Sequence, residues 1–357
     1  MRDSDLLWET VTDGQEIPPI GYELSLLRLV SFVRATGLYD FVHFDPDYAR
    51  AVGVKDAFMA TPHAVGLFCR LITDWTGPGA SIRKLTINMH KSCFRNDMLS
   101  VGGRVARKYV DDAGRHMVYL ADLAITCEGS GPAMTAEATV ELKSGSTEPA
   151  TQWDALDTRP VIDETTPDFA KAALGVRSNR DDPHSHAVSE NEILLWCESL
   201  EDWNPLYCDP DFAKASRFGG IVAPPAATGM FFSPKSLAPI GIGYLRPGAD
   251  VPEAVSQGLR GVPLLKELRK NFGSGSVALP IEGYSELIVV KAEHNFVAPL
   301  RPGDRIRRER ELMSCSALRK TRLGDGYFVQ SAAQVFNHRD ELLSQVVYTI
   351  LQYRPDA

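Results

Sequence analysis

The stretch Asp45-Pro46-Asp47-Tyr48-Ala49-Arg50-Ala51 returns as Asp209-Pro210-Asp211-Phe212-Ala213-Lys214-Ala215, 164 residues further on. Every position is identical or a like-for-like exchange, so one module is written twice in this chain. Each copy then shows what the other has lost. At the same offset Leu38 faces Asp202, Asp40 faces Asn204, Phe41 faces Pro205 and His43 faces Tyr207. An Asp and a His suited to one shared site are thereby split, one to each copy.

Outward from the repeat, both copies place helices before strands. In the first, a polar lead (1–19) precedes a helical pattern over 24–35. Asp45 can cap a second helix whose first residue is Pro46, where a missing N–H costs nothing. A strongly apolar third helix is expected over 64–75. From residue 81 the pattern turns to alternation, with Ile82, Leu85, Ile87 and Met89, then 101–105, 117–125 and 134–142. These read as three or four antiparallel strands. The second copy repeats the order: a helix over 189–200, the Asp209 helix and an apolar segment from Ala226. Its strands are expected near 286–296, 305–314, 327–336 and 342–353. Periodicity alone therefore gives an α+β class, twice over.

The expected organisation is a first copy over 1–145, a linker over 146–180 and a second copy over 181–357. Short elements near 169–174 interrupt the linker. The second copy carries about 43 extra residues, because Asn88 to Asp97 matches Asn295 to Asp304 at a larger offset than the opening repeat. This insertion falls between 229 and 292 and includes an amphipathic patch at 264–268. A loop of that length is usually a lid, a binding loop or disorder, and its apolar residues argue least for disorder.

Composition bounds the rest. With 357 residues, the chain suits two cores of about 150 each. A net charge of −8 argues against a nucleic-acid partner, which calls for clustered cations. The densest basic run, Arg305-Ile306-Arg307-Arg308-Glu309-Arg310, reads as a solvated strand face, with a coenzyme A phosphate contact as the alternative. The six cysteines form no CxxC pair, and no N-terminal apolar segment follows basic residues. Reduced thiols, a cytoplasmic location and no membrane partner are expected. Cys208 lies inside the repeat but has no His at a telling spacing, so it reads as structural.

The residues also carry a resemblance. Asp202-Trp203-Asn204-Pro205-Leu206-Tyr207-Cys208-Asp209 nearly meets the pattern D-x-N-P-x-H-x-D of the MaoC-like (R)-specific enoyl-CoA hydratases and dehydratases. The run from Phe218-Gly219-Gly220 to Pro224-Pro225 is similar to that family's helix-start segment. The run from His294-Asn295-Phe296 to Arg301-Pro302-Gly303-Asp304 is similar to its next strand. In the first copy, His43-Phe44-Asp45-Pro46 and Leu71-Ile72-Thr73-Asp74-Trp75 resemble the small subunit of actinobacterial hydratases that act on steroid side-chain acyl-CoAs. The second copy resembles the partner subunit that shapes the pocket. The resemblance implies a double hot-dog fold, each copy a long helix wrapped by an antiparallel sheet, with the two sheets joined. It also implies hydration or dehydration of a bulky acyl thioester carried on coenzyme A or a carrier protein. A homodimer is among the assemblies it allows.

Adding water to a 2-enoyl thioester needs a base, an acid and a donor for the developing oxyanion. By the resemblance, an Asp and a His hold the water and a backbone N–H at the start of the central helix serves the oxyanion. His43 occupies the His place, but Leu38 stands at the Asp place. Asp202 and Asn204 are present in the second copy, but Tyr207 replaces the His. Thr61 falls where the oxyanion donor is expected. Pro225, which has no N–H, falls there in the second copy.

Three repairs are open. Asp40 can take the missing carboxylate's place beside His43, or His63 can add a second polar group at the helix start. Alternatively, Asp202 and Tyr207 can form their own pair, although a Tyr of pKa about 10 is a poor base. The bland reading is structural: Asp45 and Asp209 cap helices, Asn204-Pro205 makes a turn, and neither copy hydrates anything. A thioesterase, a biosynthetic dehydratase or isomerase, or a non-catalytic acyl-thioester binder are the other outcomes weighed. No cofactor is called for: glycine-rich phosphate loops, GxSxG and HExxH are absent, and His184-Ser185-His186 has no neighbouring Glu or Cys in sequence.

Overall fold

A computed structural model of the chain describes residues 5–38, 40–51, 53–179, 186–231, 279, 281–284 and 286–354. The first copy runs β1 (Glu16–Glu23), α1 (Leu26–Thr36), α2 (Pro46–Ala51), α3 (Thr61–Thr76), β2 (Ser81–Met89), β3 (Met98–Val110), β4 (His116–Cys127) and β5 (Pro132–Glu141). The chain continues through α4 (Asp168–Lys171) and β6 (Arg177–Asn179) into α5 (Glu190–Leu200), α6 (Pro205–Cys208) and α7 (Pro210–Ala215). It ends with β7 (Glu286–Phe296), β8 (Ile306–Cys315), β9 (Arg319–Thr321), β10 (Gly324–Asn337) and β11 (Leu342–Arg354).

The repeated stretch folds the same way twice. Asp45 Oδ1 accepts from the Asp47 and Tyr48 amides at 3.0 Å. Asp209 Oδ1 accepts from Asp211 and Phe212 at the same distance. Each Asp satisfies two amides that the short helix leaves open, and each helix begins on a proline that has none to leave. The preceding helices are also capped alike: Ser25 accepts from the Arg28 amide, and Ser189 forms a capping box with Glu192.

The strands form one sheet in the order β1-β3-β4-β5-β2-β7-β11-β10-β8-β6, with β9 paired to β10. The order reads outward from its centre in the same way on both sides. The two inner strands, β2 and β7, meet in an antiparallel ladder of five residue pairs from Lys84↔Asn295 to Asn88↔Lys291. The sheets of the two copies are therefore one.

α3 is buried along nearly its whole length. Leu67, Phe68, Leu71 and Ile72 share a cluster with strand residues Leu85, Val101 and Leu120, and with Trp196 and Leu200 of α5. A core shared across the repeat holds the copies together by apolar burial. At the α3–α5 crossing, a Cβ on Gly66 would lie 2.3 Å from Leu200 Cδ1, so a larger residue there would force the Leu200 side chain to move.

The structure adds three features that the pattern does not mark. The polar lead holds the start of β1, which pairs with β3 and shifts register between Ile17 and Ile20, across Pro18 and Pro19. Proline is tolerated there because β1 is an edge strand whose outer N–H groups have no partner to lose. The linker lies against the second copy's strands. Trp153 N–H donates to Val297 O (2.7 Å), the Leu156 backbone exchanges two bonds with the Gln345 side chain, and Val161 N–H donates to Met313 O (2.7 Å). From Ala226 only a 3-10 turn, Pro225–Ala227, is described. The patch at 264–268, and the insertion apart from its described ends, lie outside the described residues.

Candidate functional site

His43 ends a 3-10 turn, Phe41–His43, whose N-cap is Asp40; the Asp40 carboxylate accepts from the Val42 amide at 3.4 Å. The imidazole Nδ1 lies 2.9 Å from Phe58 O. A carbonyl can only accept, so Nδ1 carries the proton and Nε2 keeps a free lone pair. Burial pushes the His43 pKa below the usual histidine value, while the negative charge of Asp40 pulls the other way. The ring is neutral at pH 7, which is the form a base needs.

His63 sits three residues into α3 and is fully buried. The Tyr22 hydroxyl donates to Ser199 O (3.0 Å), so its oxygen must accept from His63 Nε2 (2.9 Å). That assignment leaves His63 Nδ1 as a buried acceptor with no partner among the described residues. The ring stacks on Phe32 with centroids 4.3 Å apart. Burial, then the charge of His43, push its pKa down to about 3. The two histidines thus feel each other at one end of α3.

That end also offers a donor. Pro62 has no N–H and the His63 amide is bonded to Ala60 O (3.0 Å), but the Thr61 amide makes no hydrogen bond to the described residues. A 16-residue helix directs its positive dipole end at that point. Among the described residues the second copy is poorer in donors at the matching place, because Pro224 and Pro225 both lack an N–H. Leu38 is half-buried and packs against the main core.

The second signature lies elsewhere. Asp202 is 2% exposed and accepts from the Asn204 amide, with Thr73 near the last turn of α3 also within hydrogen-bond reach. Its Oδ1 has no partner among the described residues. Burial, then the charge of Asp74, push its pKa up to about 7. Asn204 caps α6 through Leu206 N–H (3.0 Å). Tyr207 is buried, its hydroxyl is held well above the usual tyrosine pKa by burial, and it lines a small cavity with Thr73, Arg83 and Phe218. His63 and Thr73 are ten residues apart on one helix, so the two groups stand roughly 15 Å apart. The split Asp and His do not meet.

Several smaller readings resolve here. Within the basic run, Arg307 is paired with Glu309 and, at 2.9 Å, with Asp340, and Arg308 donates to the Gly229 carbonyl. Cys208 donates to Asn204 O (3.3 Å), and burial raises its pKa, which leaves it a poor nucleophile. His186 does have an acidic neighbour: it bonds the capping residue Glu192, while His184 lies outside the described residues. Among the described residues no group of three His, Cys, Asp or Glu side chains could hold a metal, and no helix is long and apolar enough to cross a membrane. Sequence reading missed Tyr22 and Phe58. Tyr22 reaches His63 from an edge strand that was not expected, and Phe58 contributes a backbone carbonyl that no side-chain pattern marks.

Comparison with known proteins bears on both halves. A family model described as FAS1-like, dehydratase domain region, matches residues 172–246. The alpha subunit of the 3-oxo-4,17-pregnadiene-20-carboxyl-CoA hydratase of Mycobacterium tuberculosis is 27% identical over 168 residues, covering 47% of this chain and 45% of that subunit. The beta subunit of the same enzyme is 35% identical over 77 residues, covering 22% of this chain and 60% of that subunit. The chain thus spans less than two thirds of either relative. A MaoC domain protein from Chloroflexus aurantiacus superposes with a TM-score of 0.68 at 11% identity, over 99% of both chains. A Mycobacterium tuberculosis protein described as having a double hot-dog fold superposes at 0.61 and 14% identity, over 99% of this chain and all of the other. The chain thus has a double hot-dog fold like that of these MaoC-like neighbours, and as a single polypeptide it is similar to both subunits of one hydratase.

Proposed function

We propose that the chain is an acyl-thioester hydratase or dehydratase for a bulky enoyl substrate, with its chemistry at the first copy's end of α3. The observation that carries this is the neutral His43, pinned through Nδ1–H to Phe58 O with a lone pair on Nε2, near a helix start where the Thr61 amide has no partner among the described residues. In the hydration direction, His43 Nε2 takes a proton from water as the water oxygen bonds to the β-carbon. The thioester oxygen gains charge and is held by the Thr61 N–H. The imidazolium then returns a proton toward the α-carbon, and Asp40 favours that charged intermediate because its own charge raises the proton affinity of His43.

We take 1–145 and 181–357 as the two functional copies, joined by 146–180, with Asp202, Asn204 and Tyr207 in the wall supplied by the second. The steroid-CoA substrate named for the relatives makes a polycyclic acyl-CoA the first substrate to try. Crotonyl-CoA and a steroid enoyl-CoA, followed by loss of the enoyl absorbance, test the reading. Turnover of neither would sink it.

One observation favours the rival, a hot dog of altered chemistry or a thioester binder: Leu38 leaves His43 without the family's Asp. Leu38→Asp rebuilds that pair and is expected to raise the crotonyl-CoA rate at least about tenfold, in line with the usual gain from a positioned acid–base group. A folded variant with no gain on either thioester would favour the rival.

A further inference from the structure

His43 stands at the head of an aromatic row. Its ring meets Phe58 edge-on with centroids 4.8 Å apart, and Phe58 meets Phe94 in the same way at 6.4 Å. Lys55 Nζ lies 5.2 Å from the centre of the Phe94 ring. Phe58 and Phe94 face each other in an antiparallel bridge. On either side of it Arg95 N–H donates to Ala57 O (2.8 Å) and Met59 N–H to Cys93 O (2.9 Å), which fixes the pairing. Both phenylalanines are half-buried and Lys55 is exposed. The row therefore runs from the base outward to solvent.

Lys55 is the cation left over at the outer end. Asp56 is taken by Arg95 (2.9 Å) and lies 3.7 Å from Arg50, while Asp47 is taken by Arg50 (2.7 Å). Lys55 has no ion-pair partner among the described residues, although acidic side chains outnumber Lys and Arg in this chain by 46 to 38. A thioester substrate has two unlike ends. The acyl group carries no phosphate, whereas the carrier arm is a run of methylenes, a dimethyl branch and amides that ends in one. Half-buried rings leading to an unpaired surface ammonium suit the arm, because lysine binds phosphate as a point charge.

We propose that Phe58, Phe94 and Lys55 seat the carrier arm, its apolar stretch along the two rings and its phosphate on the Lys55 ammonium. The inference rests on the reading of His43 as the reacting end, and it puts the acyl group on the other side of that base. Calorimetry of the full chain with unreactive saturated thioesters tests it without turnover. The probes are butyryl-CoA, butyryl-phosphopantetheine and butyryl-pantetheine, the last without phosphate. Lys55→Met should weaken binding of the first two by about three- to fivefold, as one exposed ion pair allows, and leave the third unchanged. Raised salt should close the gap between wild type and variant. Phe94→Ala should weaken all three. Thioesters that bind in this pattern while crotonyl-CoA is not turned over would sink the hydratase reading and leave this one standing. No effect of Lys55→Met, an equal loss on butyryl-pantetheine, or binding of no thioester would each overturn the proposal. So would a loss confined to butyryl-CoA, which would move Lys55 to the phosphates of the nucleotide.

Discussion

His43→Ala is expected to lower enoyl-CoA hydration by about 10²–10⁴-fold, the usual range for loss of a general acid–base group. The thermal midpoint should barely move, because the half-buried ring makes one hydrogen bond to Phe58 O, worth about 1 kcal/mol. The pH profile separates a base from a merely structural histidine. Burial holds the His43 pKa below its usual value, so the rate should rise with pH along an acid limb below the normal histidine range. Asp40 raises that pKa, so Asp40→Asn should move the limb to still lower pH. A wild-type rate in His43→Ala would remove the first copy from the chemistry altogether.

The second large effect is on stability. Asp202 is buried and its pKa is raised from 3.8 to about 7. Between roughly pH 4 and pH 7 the folded chain therefore holds a proton that the unfolded chain has released. That proton stabilises the fold fully below about pH 4, and its contribution is lost as pH rises through 7. A shift of this size corresponds to about 4 kcal/mol across the window. His63, neutral and buried with its pKa pushed down to about 3, has the opposite slope over much of the same range, so the wild-type curve partly hides both groups. Subtracting the denaturation curve of Asp202→Asn, measured from pH 4.5 to 8, removes His63 and isolates the carboxyl. The variant should gain on the wild type steadily as pH rises. Parallel curves would mean that Asp202 titrates normally.

The repeat made most of the fold legible. Two copies of a proline-led helix after an Asp cap fixed where helices begin, and alternation marked β2 to β5 and β7, β8, β10 and β11. β1 escaped because Pro18 and Pro19 argue against a strand unless it is known to lie at an edge. The site was legible only in parts. His43, Thr61 and Asp202 are singled out by position in the repeat, but offset says nothing about distance, and α3 keeps His43 and Asp202 apart. The tautomers of His43 and His63 depend on Phe58 O and on the Ser199 O–Tyr22 relay, contacts that span 15, 177 and 41 residues. Desolvation of Asp202 is a property of what surrounds it, which no local pattern records.

The ladder between β2 and β7 also carries an address. In it Thr86 faces Glu293, with Leu85 against His294 and Ile87 against Ala292. Two second copies meeting through β7 at the same register would set Glu293 directly opposite Glu293, like charges in the closest cross-strand position. Two first copies would set Thr86 opposite itself without that repulsion. The discrimination therefore resides on one strand only. Were the polypeptide divided in the linker, unlike halves would be favoured over two second halves by a single side chain. Covalent joining makes this choice redundant, and it leaves Glu293 free to drift without loss of the correct pairing.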